Sequence, residues 1–207
     1  MVLLIDDDDT VRASVLKALR EAGLRARAFA SGREFFDQTS DVENACVVTD
    51  LRMADMDGAA VLRRLRETGR TAWPVIVITG HADVPQAVQM MKAGVIDFIE
   101  KPFDPVRLIE SVRGALSILQ ETRMRQATLA ALRERYASLT DRERQVFAEL
   151  ITGRTNKEIS NKYNASVRTV EVHRSNVMKK MQAETLADLV RLGLSLEKVI
   201  HLISDDK

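Results

Sequence analysis

The chain has 207 residues, of which 45% are hydrophobic and 29% are charged, and its formal net charge is +1. These ordinary globular values exclude a disordered chain, and no apolar stretch approaches the roughly 20 residues that a membrane span needs. Cys46 is the only cysteine, which excludes an internal disulfide, and the apolar run near the N-terminus is too short for a signal peptide. We therefore expect a cytoplasmic protein with one large domain or two small ones.

The charge is unevenly distributed along the chain. Residues 1–119 contain 15 basic and 18 acidic side chains, whereas residues 154–180 contain 7 basic and 2 acidic ones. An acidic first part followed by a basic segment favours two separate tasks for the two parts.

Short apolar runs of strand length alternate with helical patterns in the first half of the chain. The runs lie at 2–5, 25–29, 45–49, 75–79 and 95–99. Apolar residues at helical spacing form four faces: Val11, Val15 and Leu19; Val61, Leu62 and Leu65; Val84, Val88 and Met91; and Leu108, Val112, Leu116 and Leu119. This alternation predicts an α/β domain with a parallel sheet covered on both sides by helices.

Polar and charged residues stand where the predicted strands end, and the carboxyl ends of parallel strands meet at one edge of a sheet. They are Asp6 and Asp7 after the first strand, Asp50 after the third, Thr79 after the fourth and Lys101 after the fifth. Three carboxylates form a hard oxygen site for a cation such as Mg²⁺. A hydroxyl and an ammonium group can hold an incoming phosphoryl group. Asp8 and Asp9 are predicted to begin the first helix, where negative charge suits the helix dipole.

Four segments, "LIDDDD", "VVTDLRMADMDG", "VIVITGHADVPQAV" and "MKAGVIDFIEKPF", resemble the receiver domain of two-component response regulators. The resemblance covers about residues 1–119 and implies a flavodoxin-like (βα)5 fold. It also implies that Asp50 accepts a phosphoryl group from a histidine kinase, and that the receiver promotes its own phosphorylation and its slow hydrolysis.

The same resemblance implies roles for the other residues of the predicted site. Asp7 would bind Mg²⁺ or Mn²⁺ directly with Asp50 and the main-chain carbonyl of Arg52, while Asp6 assists. Thr79 and Lys101 would hold the phosphoryl oxygens, and Thr79 and Phe98 would move on activation.

Details of the receiver segments carry further expectations. The Lys101–Pro102 peptide bond is expected to be cis. Ala54 replaces the proline that many members have after "RM", which would loosen that loop. His81 lies close enough to Thr79 to influence water near the phosphoryl group, and a kinetic role for it stays open.

An alternative of another class also fits the first residues. "LLIDDDDTV" resembles the opening of haloacid-dehalogenase-type phosphatases, with Asp6 as nucleophile and Asp8 as acid and base. Against it, no acidic pair follows Lys101 on a further strand, and both Asp50 and the last third of the chain are left without a role.

The middle of the chain is rich in strong helix formers from Pro105 to about Tyr136. We expect the last receiver helix to run on into a helical linker at 120–137. An imperfect apolar stripe along it could pack against a partner helix, and a solvated spacer is the alternative.

The last third predicts four short helices with recognisable caps. Thr140 and Glu143 form a capping box, and Gly153 closes that helix. Asn156 is predicted to cap the next helix and Asn164 to end it. The remaining signals are Ser166 as the cap of the third helix, a Thr185–Asp188 capping box for the fourth, and Gly193 as its end. Two helices joined by a turn of about three residues, with the second longer and basic, indicate a helix-turn-helix.

Periodicity separates the two faces of the longer helix. Val170, Val177 and Met181 recur at core spacing, with His173 on the same side. The opposite face has the residue types that read base edges and phosphates: Arg168, Thr169, Glu171, Val172, Ser175, Asn176 and Lys179. A solvated basic face on a protein-binding bundle is the alternative.

Residues 138–193 resemble a LuxR-type, four-helix DNA-binding domain, here assigned to residues 138–207. Together with a receiver this points to the NarL/FixJ subfamily of response regulators. The resemblance implies that Lys157, Arg174 and Lys179 lie at DNA-contacting positions, with Glu171, Val172 and Ser175 facing bases. The expected function is phosphorylation-dependent transcriptional regulation. The expected partners are a histidine kinase, an operator in double-stranded DNA, a second copy of the chain after phosphorylation and, as an open possibility, RNA polymerase, with no membrane contact.

Overall fold

A computed structural model describes residues 1–80 and 84–204, the last eight of them by backbone alone. Contacts divide the chain into two units, Met1–Arg123 and Met124–Lys207. His81 lies outside the described residues.

The first unit is an α/β layer structure with five parallel strands in the order β2-β1-β3-β4-β5. The strands are β1 (Val2–Ile5), β2 (Ala26–Phe29), β3 (Cys46–Asp50), β4 (Val75–Thr79) and β5 (Asp97–Glu100). The helices are α1 (Asp9–Glu21), α2 (Gly32–Gln38), α3 (Gly58–Glu67), α4 (Val84–Lys92) and α5 (Pro105–Ala137), which begins in the first unit and ends in the second. The predicted parallel sheet is therefore confirmed, and α5 runs without a break through the segment predicted as a helical linker.

The sheet has a separate apolar core on each of its two sides, because neighbouring residues of a strand point to opposite faces. Leu3 and Ile5 pack with α2, α3 and α4, whereas Val2 and Leu4 pack with α1 and α5. The predicted apolar residues of α1, α3 and α5 lie in these two cores, except Leu119, which is buried at 5% exposure outside both clusters.

The prediction that the apolar side of α4 faces the core is wrong. Val84, Val88 and Met91 share one side of the helix, but their exposed fractions are 74%, 46% and 49%. Met90, at 5% exposure, is the α4 residue that packs against the sheet.

The second unit is helical, with α6 (Asp141–Ile151), α7 (Asn156–Tyr163), α8 (Val167–Met181) and α9 (Leu186–Ser204). Its core joins residues of every one of these helices, among them Phe147, Ile159, Val177 and Leu189. The turn between α7 and α8 is three residues long, 164–166, as expected for a helix-turn-helix.

Most of the predicted helix starts and caps are confirmed. Asp8 caps α1, Thr140 and Glu143 form the capping box of α6, and Ser166 caps α8. Asn164 ends α7 in the left-handed conformation, and Thr185 exchanges hydrogen bonds with Asp188 before α9.

Two predicted helix boundaries are wrong. Thr155, rather than Asn156, caps α7, because its hydroxyl accepts from the amide of Glu158. Gly193 does not end α9, which continues to Ser204. A Cβ at Gly193 would lie 2.9 Å from Ile151 Cγ2, so the glycine permits close packing of α9 on α6.

Candidate functional site

The carboxyl edge of the sheet brings together an ammonium group and two carboxylates. Lys101 Nζ lies 2.7 Å from Asp6 Oδ2 and 2.7 Å from Asp50 Oδ2, so one lysine bridges the ends of β1 and β3. Asp6 is completely buried, while the side chain of Asp50 keeps 12% exposure. Asp50 can therefore be reached from solvent, and Asp6 is held inside.

Burial and charge act in opposite directions on this cluster. Burial raises the pKa of Asp6, and the hydrogen bond from Lys101 only partly counteracts it. Burial by itself would lower the pKa of Lys101, but the carboxylates of Asp50 and Asp6 outweigh it and hold that pKa above its ordinary value. Lys101 is therefore a fixed positive charge at the edge of the sheet.

A third carboxylate completes an oxygen-rich group. One oxygen each from Asp6, Asp7 and Asp50 can be chosen so that all three lie within 4.8 Å of one another. Asp7 is exposed, and Asp6 uses its second oxygen to accept from the amide of Asp8. Carboxylate oxygens gathered this closely, with one side open to solvent, fit a hard divalent cation.

The neighbouring backbone fixes the orientation of Asp50. Its Oδ1 accepts from the amide of Arg52 at 3.1 Å, and Oδ2 accepts from Lys101. A Cβ at Gly58 would lie 2.8 Å from the Asp50 carbonyl oxygen, so only glycine allows α3 to begin this close. Thr79 is buried at the end of β4, and its carbonyl accepts from the amide of Lys101 at 2.7 Å. The Lys101–Pro102 bond is cis, as expected.

The loop after Asp50 has an anchor that sequence reasoning missed. Asp55 accepts from the amide of Arg33 at 3.1 Å and from that of Gly32 at 3.4 Å, at the start of α2. Met56 packs so tightly on Gly32 that a Cβ there would lie 2.8 Å away. No sequence signal links an aspartate in one loop to a helix start 22 residues earlier, because only the fold brings them together.

Beside Lys101 lies an open, mainly apolar cavity of about 460 Å³. Its lining comes from α1 and from the segment after β5, and includes Val11, Ser14, Phe103 and Leu108. Phe98, on β5, is half-buried and packs against the core under α4.

The exposed face of α8 contains the predicted DNA-reading residues. Arg168, Thr169, Glu171, Val172, Ser175, Asn176 and Lys179 are all exposed, and Lys157 is exposed on α7. Val170, Val177 and Met181 are buried, as predicted, and His173 is half-buried. Arg174 differs from the others because it is half-buried and donates to Asn156.

Two carboxylates of α6 hold the second unit together, and sequence reasoning missed both contacts. Glu143 accepts from Lys180 Nζ of α8 at 2.6 Å, which with the Thr140 amide lowers its pKa to about 2. Glu149 contacts Lys162 and accepts from the Tyr163 hydroxyl at 2.9 Å, both on α7. In the sequence α6 looks like a simple amphipathic helix, but its two buried carboxylates bind side chains of α7 and α8 and hold these helices in place.

The two units together define a class of protein: an α/β domain with an acidic site at its sheet edge, followed by a helix-turn-helix domain. Comparison with known proteins agrees in both parts. Residues 2–113 match the response regulator receiver domain, and residues 137–192 match the bacterial regulatory proteins of the luxR family.

Similar proteins span nearly the whole chain. The transcriptional regulatory protein FixJ of Rhizobium meliloti is 43% identical, covering 94% of this chain and 95% of that protein. FixJ of Bradyrhizobium diazoefficiens is 40% identical, with coverages of 93% and 94%. The structure of the response regulator StyR is 35% identical, with a TM-score of 0.84 and coverages of 95% and 98%. The chain belongs to the two-component response regulators with a LuxR-type DNA-binding domain.

Family membership decides against the phosphatase alternative that the sequence raised. The chain is a response regulator that acts as a transcription factor rather than a phosphatase of the haloacid-dehalogenase type or another true enzyme. Its domains imply a histidine kinase and DNA as partners. Asp8, the acid and base of the phosphatase alternative, is occupied as the α1 cap by accepting from Thr10 and Val11. Within the described residues, no helix combines the length and apolarity of a membrane span.

Proposed function

We propose that a histidine kinase phosphorylates Asp50 and that this modification promotes dimerisation and DNA binding. The observation that carries the proposal is the position of Lys101 Nζ, 2.7 Å from carboxylate oxygens of both Asp6 and Asp50. Such an arrangement places a carboxylate nucleophile beside a fixed cation, which is what phosphoryl transfer requires.

The transfer step follows from the orientation of Asp50. A carboxylate oxygen attacks the phosphorus of the kinase phosphohistidine, the new O–P bond forms as the P–N bond breaks, and the electron pair leaves with the histidine nitrogen. Lys101 stays within reach of the phosphoryl oxygens as a counter-charge, and the Thr79 hydroxyl donates to one of them. Small phosphoryl donors would use the same attack, and slow hydrolysis would reverse the modification.

A divalent cation, Mg²⁺ or Mn²⁺, fits the group formed by Asp6, Asp7 and Asp50. We assign direct ligation to Asp7, Asp50 and the Arg52 carbonyl, with Asp6 assisting. When bound, the cation supplies neutralisation of charge on the phosphoryl oxygens.

The cavity beside Lys101 is our proposed docking site for the kinase. A donor of the phosphoryl group must cover the surface next to Asp50, and this cavity reaches Lys101 itself. Its apolar lining from α1, including Val11, suits the side of a helix from the kinase.

Activation would be transmitted by Thr79 and Phe98 to the surface of α4 and β5. Drawing Thr79 and Lys101 toward the phosphoryl group would vacate space that Phe98 can enter. The nearby surface has an exposed apolar face on α4 with Lys92 and Glu100 at its margin. Val95, between α4 and β5, does not contribute to this surface, because it is only 3% exposed and packs in the core.

We propose that this surface pairs with a second copy of the chain, since a patch of apolar and oppositely charged residues can be self-complementary. A dimer would present two α8 helices to two half-sites, converting a weak contact into a bivalent one. We propose three functional segments: a receiver at 1–119, a linker at 120–137 and a DNA-binding domain at 138–207. We further propose that the protein acts in the cytoplasm, where it can contact RNA polymerase.

Size-exclusion chromatography with and without Mg²⁺ and acetyl phosphate tests the proposal. We expect a shift from monomer to dimer that needs both additions and is absent in Asp50→Asn. A chain whose size does not respond to phosphorylation would contradict the dimer mechanism.

A further inference from the structure

Arg174 lies on a different side of α8 from the other proposed DNA contacts. It follows buried Val170 by four residues and precedes buried Val177 by three, so its backbone belongs to the core-facing stripe. Its side chain is half-buried, whereas Glu171 and Ser175 are exposed. A base-reading role is therefore poorly suited to Arg174.

The side chain of Asn156 meets Arg174 at the start of α7. Because Thr155 and Glu158 form the capping box of α7, the Asn156 side chain is not needed as a cap. Its carbonyl oxygen accepts from Arg174 Nη1 at 3.1 Å. This hydrogen bond joins the two helices of the helix-turn-helix directly.

The contact with Asn156 leaves the charge of Arg174 available. A guanidinium group has five N–H donors in a planar fork, and one of them is used by Asn156. Across the described ranges, no carboxylate forms an ion pair with Arg174, in contrast to Lys162 and Lys180. An oriented guanidinium without a carboxylate partner fits an external anion such as a phosphate.

We propose that Asn156 is a positioning residue that holds the Arg174 guanidinium against α7 so that it contacts one backbone phosphate of bound DNA. This inference rests on the DNA-binding function proposed above and gives Arg174 a sequence-independent role. Asn156 itself need not touch the DNA, and it acts by restricting the guanidinium to one direction.

The test measures the affinity of the full chain for duplex DNA over a series of salt concentrations. The DNA is a site selected by the wild-type protein from random sequences, together with a non-specific duplex of equal length. Arg174→Gln is expected to reduce the slope of log affinity against log salt by about one, equally on both DNAs. Asn156→Ala keeps the arginine and is expected to lower the affinity for DNA about tenfold. It should also reduce the salt slope, as Arg174→Gln does. The double variant should bind like Arg174→Gln alone.

Asn161→Ala is the matched control, since Asn161 is an exposed asparagine of the same helix, and it should leave both quantities unchanged. Circular dichroism melts establish that each variant is folded. An unchanged slope in both Arg174→Gln and Asn156→Ala, with losses that follow stability alone, would show a purely structural clamp and overturn the proposal. If Asn156→Ala had the affinity and salt slope of the wild type while Arg174→Gln had a reduced slope, the positioning role of Asn156 would be overturned. Absence of DNA binding by the wild type would instead reject the proposed function.

Discussion

Lys101 Nζ and Asp50 Oδ2 lie 2.7 Å apart although 51 positions separate the two residues in the chain. The parallel register β3–β4–β5 produces this meeting, because the ends of neighbouring strands stop at the same edge. This ion pair connects Asp50, the proposed phosphoacceptor, to the ammonium group of Lys101, which also contacts Asp6.

Asp50→Asn should abolish labelling by radioactive acetyl phosphate, because the amide keeps the shape of the side chain and removes its nucleophilic oxygen. Labelling is measured after denaturing gel electrophoresis. Asp37→Asn, an exposed aspartate of α2, is the control and should label normally. If Asp50→Asn still became labelled, and the label were on Asp6, the nucleophile would be Asp6 and our assignment of Asp50 would be wrong.

Asp7→Ala should weaken Mn²⁺ binding by about tenfold or more, a loss that even outer-shell partners of a metal can produce. Electron paramagnetic resonance of free Mn²⁺ measures the affinity without any phosphoryl donor. Asp9→Ala, which removes an exposed neighbour in the same run of aspartates, should change it little. Equal affinity in Asp7→Ala and the wild type would argue against direct ligation.

Phosphorylation should raise affinity strongly for DNA with two half-sites and little for an isolated half-site, because only a dimer gains from bivalent contact. Fluorescence anisotropy with both DNAs, before and after acetyl phosphate, measures the difference. A fragment from about residue 138 should bind DNA without responding to phosphorylation and should retain the salt dependence of phosphate contacts. Equal stimulation on both DNAs would indicate that the receiver merely uncovers its DNA-binding domain.

Glu143→Gln should destabilise the second unit by about 1–2 kcal/mol at pH 7, since it removes the charge-assisted hydrogen bond from Lys180. The folded-state pKa of Glu143 is lowered to about 2, from an ordinary value of about 4.3. Its contribution is therefore complete above pH 4.3 or so and is lost as pH falls through about 2.

Urea unfolding followed by circular dichroism, in the wild type and in Glu143→Gln at several pH values, checks this dependence. The difference between the two proteins should close as the pH decreases toward about 2. Trp73 is the sole tryptophan and lies in the first unit, so its fluorescence follows the unfolding of that unit. The urea transition measured by this fluorescence should be the same in the wild type and in Glu143→Gln. A difference that stays constant from pH 7 to pH 2 would mean that Glu143 is not charged in the folded protein as we describe.

Ser111→Ala should leave stability unchanged or raise it by up to about 1 kcal/mol. The Ser111 hydroxyl is the buried side-chain group without a hydrogen-bond partner among the residues that the structure describes, and removing an unsatisfied hydroxyl relieves its desolvation cost. Thermal unfolding followed by Trp73 fluorescence gives the measurement, with exposed Ser117→Ala on the same helix as control. A clear loss of stability would show that the hydroxyl has a partner, such as a bound water.

Local features of the sequence determined much of this protein. The apolar runs predicted all five strands to within two residues, and the helix start at Asp8 and the capping signals at Thr140 and Ser166 were right. These signals work because a strand's alternation and a helix cap depend on atoms only a few residues apart. The site residues could be proposed because strand ends in a parallel sheet meet at one edge.

Tertiary packing alone decided the remaining features. The apolar side of α4 looks in the sequence like a core face, but no element among the described residues of the first unit covers Val84 and Val88, which are exposed. Gly193 has the same local signal as a helix end, yet contact with Ile151 gives it a packing role inside α9. The Asn156–Arg174 and Asp55–Arg33 contacts join separate elements, so their energies depend on how those elements pack, which the local pattern of residues does not encode.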